Sequence, residues 1–192
     1  MTIKFNEDWN LMMFKISTFL VEMSEGEEHY ISLDDSLKLR GIFEHRKFTP
    51  EHIQMHIMIQ FNNQTVAGND IPSGLDLWND YILGIEQFLN GKSVEIPYGI
   101  DPYLMKLFSI NSNSLDFSIV GDWEPVEVFA QAILPKREFF EAILEGATHF
   151  WNTLIEYKVF EEKEMNTASK EYPKLMIKEI EKLSGKVKTL FK

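Results

Sequence analysis

Residues 75–90, LDLWNDYILGIEQFLN, read as a one-sided helix. Leu77, Tyr81, Ile85 and Phe88 recur at helical spacing, with Trp78 and Leu89 beside them. Such a stripe covers a sheet. Ser73 or Asp76 is placed to cap the first turn, and Asn90-Gly91 ends the helix with residues that tolerate a left-handed backbone. Sixty-two positions later residues 137–152, REFFEAILEGATHFWN, follow the same plan. Asp76 meets Glu138, Trp78 meets Phe140, Gly84 meets Gly146, Phe88 meets Phe150 and Asn90 meets Asn152. The offset holds upstream, where Ile53, Met55, Ile57 and Phe61 meet Leu115, Phe117, Ile119 and Trp123. We read a diverged internal duplication over 39–90 and 101–152.

Working outward, residues 52–61, HIQMHIMIQF, alternate with a period of two, which means a strand. Asn62-Asn63 is a turn that tolerates positive φ, and 64–71 is read as the return strand. In the second half 103–110, 115–121 and 126–133 read as strands, and Phe139, Ile143, Ala147, Phe150 and Leu154 form the second helical stripe. Before the repeat, Phe14, Ile16, Thr18 and Leu20 share a strand face. The run 24–29, SEGEEH, is taken as a charged turn, and 37–46, LKLRGIFEHR, as a half-buried strand. The fold class expected is α+β, with antiparallel sheets built from two duplicated strand-strand-strand-helix halves and helices on one face. Residues 1–160 form one domain; 161–192 hold a polar linker and a C-terminal helix. On that helix Met176, Ile180, Leu183, Val187 and Leu190 make a heptad-like seam that either docks on the body or forms a homodimer with a copy of itself.

The 192 residues carry 44% hydrophobic side chains, enough for a substantial core. The absence of cysteine excludes disulfides, a thiol nucleophile and a thiolate metal site. No secretory leader and no apolar run of membrane-spanning length is read, so the expectation is a soluble, cytoplasmic protein that binds no membrane. The net charge of −11 is uneven: residues 158–192 hold nine Lys and six Glu, leaving −14 on the first 157. An acidic body repels nucleic-acid phosphate and speeds encounter with a basic protein.

No short catalytic signature is present: no GxSxG, Walker A, GxGxxG or kinase motif. His52 and His56 lie four apart, but on a strand that puts them roughly 13 Å from each other, too far for one ion. They are read as solvated strand positions. His29, His45 and His149 have no ligand spacing, so neither a metal nor another cofactor is expected. The acidic pairs Glu27-Glu28, Asp34-Asp35 and Glu161-Glu162 read as solvated charge. The chain is therefore taken as a non-enzyme.

Most of the aromatic residues fall on inward faces and read as core. Two places look outward. In the break 121–125 Trp123 stands between Asp122 and Glu124. In the loop 97–103, PYGIDPY, Tyr98 and Tyr103 are offered as a pair. Aromatic anchors ringed by carboxylates suit a basic protein surface, so these five residues form the candidate partner-binding set. The bland alternative for Trp123 is closure of the sheet end, as its mate Phe61 would do.

The run from Leu75-Asp76-Leu77-Trp78 to Phe88-Leu89-Asn90-Gly91, with Asp101-Pro102-Tyr103-Leu104 and the strands between Phe117 and Ile133, resembles bacterial immunity proteins of the WapI type over about 35–155. Those proteins protect bacteria from WapA-like contact-dependent nuclease toxins. The resemblance implies a non-enzymatic partner that masks the basic cleft of a toxin domain; it transfers no individual residue. Two other readings stand beside it. One is a small-ligand module with a pocket between sheet and helices, where Gly84 and Gly146 let backbone approach closely. The other is a structural homo-oligomer held by the C-terminal seam.

Overall fold

The alternating stretch becomes β3 (Gln54–Phe61), whose Met55, Ile57 and Ile59 are fully buried. In this computed structural model, which describes residues 13–45, 53–91, 93–161 and 167–191, β3 lies inside an antiparallel sheet. Its neighbours are β1 (Phe14–Ser24), with β2 (Glu27–Ser32) outside it, and β4 (Gln64–Ala67) on the other side. The two-residue β5 (Gly74–Leu75) also pairs with β3. A second antiparallel sheet runs in the order β6 (Ser93–Pro97), β7 (Tyr103–Ser109), β8 (Ser114–Gly121) and β9 (Val128–Pro135). The sheets are separate ladders that approach each other along β4 and β9. Asn62 and Asn63 take φ of 50° and 64° at the β3–β4 turn, as their side chains allow.

The helices cross over. The first long one, α2 (Leu77–Gly91), follows the first sheet but lies on β6 and β7; its partner, α3 (Lys136–Glu156), follows the second sheet but lies on β1. Gly84 and Gly146 make these approaches close. A Cβ on Gly84 would stand 2.8 Å from Met105 Cε, and one on Gly146 would stand 2.7 Å from the Trp78 ring and 3.0 Å from Ile16. The space the glycines leave is thus filled by neighbouring side chains rather than by a ligand pocket. The C-terminal helix α4 (Thr167–Leu190) forms a third layer on α3 and α2, burying Ile180, Leu183 and Val187. Burial of each is worth about 1.5–3 kcal/mol, and a copy pairing through that seam would have to displace α3.

Several expectations are corrected. Residues 37–45 are not a strand: α1 (Ser36–His45) occupies them, and Arg46 lies outside the described residues. Asp35 caps it, accepting the Lys38 N–H on its side chain at 3.2 Å and the Leu39 N–H on its carbonyl at 2.9 Å. Leu39 and Ile42 are the buried pair, at helical spacing, while Leu37 is exposed. The run 24–29 is a turn only at Glu25-Gly26 and then continues as β2. The return strand stops at Ala67. Ser73 does not cap α2; its hydroxyl donates to Glu28. Part of the stretch read as linker is helical, since α4 begins at Thr167. The two halves also differ in plan. In the first sheet the earlier of the two leading strands, β1, adjoins β3, whereas in the second the later, β7, adjoins β8, and α1 has no counterpart.

Candidate protein-interaction surface

Gly121 ends β8, and its missing side chain lets the following residues fold back. A Cβ there would stand 2.4 Å from the Trp123 ring. A bulge in the β8–β9 ladder, between Ile119↔Ala130 and Val120↔Val128, leaves Phe129 unpaired. Trp123 packs edge-on against Tyr103 at 5.5 Å and Phe129 at 6.0 Å, and those two rings meet at 5.2 Å. The loops are stitched by backbone: the Asp122 N–H donates to Pro102 O at 2.8 Å, Gly121 to Glu127 O at 2.8 Å, and Tyr98 to Tyr103 O at 2.9 Å. The Glu124–Pro125 peptide is cis.

Four of the five candidate residues come together here. Trp123 keeps 37% of its surface exposed, Tyr103 is half-buried, and Asp122 and Glu124 point into solvent. Asp101, Glu127, Val126 and Val128 are exposed on the same stitched loops. Tyr98 is the correction. It is 2% exposed and packs edge-on against Tyr81 at 6.0 Å, so it belongs to the core and presents no ring to a partner. Its loop offers Ile100 instead, which is 76% exposed. Behind that loop the Asp80 carboxylate accepts the Gly99 N–H at 2.7 Å. Burial pushes its pKa up to about 6, against the pull of that N–H, and Asp76 adds to the rise.

A second polar cluster, on the outward face of the first sheet, was missed by sequence reasoning. Glu28 accepts the Tyr30 hydroxyl at 2.5 Å and the Ser73 hydroxyl at 2.7 Å, while Gln54 Nε2 donates to Ser73 Oγ at 2.9 Å. Those hydroxyls hold the Glu28 pKa below the usual carboxylate range, and the bond to Glu28 raises the Tyr30 phenol to about 12. His56, read as solvated, is buried at 2% exposure. Its ring meets Tyr30 edge-on at 5.3 Å, and neither ring nitrogen has a hydrogen-bond partner. Burial lowers its pKa and Glu28 opposes that. The available signals were the i, i+2 pairs Glu28/Tyr30 and Gln54/His56, but they point together only once β1 has been placed between β2 and β3. His52 lies outside the described residues.

Lys136, at the head of α3, is buried. It donates to Ser109 Oγ at 2.7 Å and to the Asn111 carbonyl, and lies 5.7 Å from the Phe88 ring, tying α3 to the β7–β8 turn. Among the described residues no three His, Asp or Glu side chains converge as a metal site requires, and no helix is long and apolar enough to cross a membrane. Searches of protein-family models, curated proteins and solved structures return no match to this chain.

Proposed function

We propose that this chain is a non-enzymatic protein-interaction module whose acidic, aromatic end binds a basic protein. The observation that carries this is the half-exposed Trp123, braced by Tyr103 and Phe129 and flanked by Asp122 and Glu124. A braced indole loses little conformational freedom on binding, and buried tryptophans dominate interface energies. Charge favours the same end. The loops 97–103 and 121–127 carry four acidic side chains, Asp101, Asp122, Glu124 and Glu127, and no lysine or arginine. That imbalance steers a cationic partner to these loops. Taken with the resemblance to WapI-type immunity proteins, the partner is a bacterial toxin domain and the role is to cover its basic cleft.

The test compares the wild-type chain with D122N/W123A/E124Q, each immobilised and exposed to lysate of the source organism at low and moderate salt. The expected result is one basic protein retained by the wild type, released as salt rises, and bound at least about thirtyfold more weakly by the variant. Equal retention by both chains, or retention of no basic protein, would overturn the reading.

A further inference from the structure

The second sheet has one covered face and one open one. Met105, Leu107, Phe117 and Ile119 are buried on the covered side. Side chains alternate along a strand, so the residues between them point the other way. There the registers line up rows that cross all four strands. The row at the loop end is Pro97, Leu104, Val120 and Val128, one apolar residue from each strand. Next comes Glu95, Lys106, Ser118 and Gln131, and then Ser93, Phe108, Asp116 and Ile133. Val128 is 55% exposed and Ile133 68%, and Pro97, Glu95, Phe108 and Gln131 are exposed as well, so among the described residues no element covers this face.

The apolar row is the stem of the two acidic loops. Pro97 and Leu104 flank residues 98–103, and Val120 and Val128 flank 121–127. Asp101, Asp122, Glu124 and Glu127 are exposed on those loops. Lys106, in the next row, is paired with Glu95 at 2.7 Å. An apolar strip bordered by carboxylates complements an apolar strip bordered by cations. A second copy of this chain would bring like charges together, so it is the wrong occupant. The face offers side chains and keeps its backbone N–H and C=O groups in the ladders. Its occupant must therefore satisfy its own backbone, as a helix does. The row is roughly 14 Å long, three inter-strand gaps of about 4.8 Å, and about two and a half turns of helix cover that length.

We propose that the open face of the second sheet receives a basic amphipathic helix of the partner. Its apolar stripe lies on Pro97, Leu104, Val120 and Val128, and its cations meet Asp101, Asp122, Glu124 and Glu127. The proposal rests on the partner-binding reading above and gives that partner's contact the form of a helix. The row and the Trp123 cluster stand back to back at one sheet end: Leu104 follows Tyr103, Val120 precedes Gly121, and Val128 precedes Phe129. A helix on the row thus reaches the same two loops from the open side.

The experiment titrates the isotope-labelled full chain with a capped leucine–lysine peptide of about 15 residues, its leucines recurring at i, i+3, i+4 and i+7. A scrambled peptide of the same composition is titrated separately. NMR reads the methyls of Leu104, Val120 and Val128 and the Trp123 indole. Expected are shifts at the three methyl-bearing residues, with the striped peptide bound at least about tenfold tighter than the scrambled one. Val128→Lys sets a cation on the row and should weaken the striped peptide about tenfold. Leu104→Ser should weaken it as well and covers the case in which the Val128 variant disturbs the bulge beside it. Equal affinities for the peptides, or unchanged binding in both variants, overturns the proposal. Shifts of the same methyls on concentrating the chain alone also overturn it, because a second copy then occupies the face. Shifts at Trp123 without shifts along the row overturn it too but leave the partner-binding reading standing. Shifts at neither place count against both.

Discussion

Asp80 carries a measurable consequence of burial. Its carboxyl titrates near 6 in the folded chain, above the ordinary carboxylate value near 4 that it has when unfolded. Between those values the folded state binds more protons than the unfolded one, so stability falls as pH rises through about 4 to 6 and stays lowered above that. Solvent on the open side of the group trims the penalty to about 1–2 kcal/mol. Asp80→Asn keeps an oxygen for the Gly99 N–H and removes the charge. Urea unfolding of the variant should show a gain of about that size at pH 7 and no gain at pH 4; an equal shift at both would mean that burial of the charge is not the cause. None of this was legible along the sequence, where Asp80 is one polar position on an apolar helix. Its burial comes from the loop around Gly99, nineteen residues away, which depends on β6 and β7 being in place. Still longer separations hid His56: alternation set it on the face opposite Ile57, where it was read as solvated, and could not show that Phe19 and Tyr30 would cover it.

At the scale of elements, what could be read was whatever one element decides alone. The helices α2 and α3, the central strand β3 and the strands β7 to β9 carry their own periodicity and emerged close to their observed places. By contrast, α1 was misread because Leu37 and Leu39 imitate strand alternation; the helical signals were Asp35 as a cap and the spacing from Leu39 to Ile42. The strand β2 escaped notice because it is an edge strand whose carboxylates face water and whose inward face is built largely on Ile31. Glycines show the same division between local and tertiary causes. Gly185 lies on the exposed side of α4 with nothing near its missing Cβ, so Gly185→Ala should stabilise by about 0.5–1 kcal/mol through helix propensity alone. Gly146 lies under Trp78, fully buried, and Ile16, partly buried against the core, so Gly146→Ala should destabilise by about 1–3 kcal/mol despite the same gain in propensity. Denaturant midpoints moving in opposite directions would confirm that α3 is held by close approach and α4 by its seam; movement in the same direction would contradict it.

On the scale of the whole molecule the charge is separated. The third layer, α4, carries six lysines against three glutamates, while residues 48–135 carry the acidic excess. Ion pairs do little to offset that excess. Those of Lys38, Lys106, Arg137, Lys174 and Lys182 all involve partly or largely exposed side chains, and such pairs contribute about 0–1 kcal/mol each. With a net charge of −11, self-repulsion then outweighs attraction, and repulsion is what salt screens. Melting temperature should therefore rise by a few degrees between about 10 mM and 200 mM sodium chloride, the range over which the Debye length falls from about 30 Å to below 10 Å. Much of the rise should come from the loops that hold Asp70, Asp101 and Asp122. A chain with Asp70→Asn, Asp101→Asn and Asp122→Asn together should melt higher than wild type at low salt and gain less as salt is added. Calorimetry at both ionic strengths decides this. A melting temperature that falls with salt, or a triple variant with an unchanged salt response, would mean that these carboxylates are well compensated in the free protein. Uncompensated, they keep a field of the kind that would steer the proposed cationic partner, and the stability the free chain forgoes would be recovered on binding it.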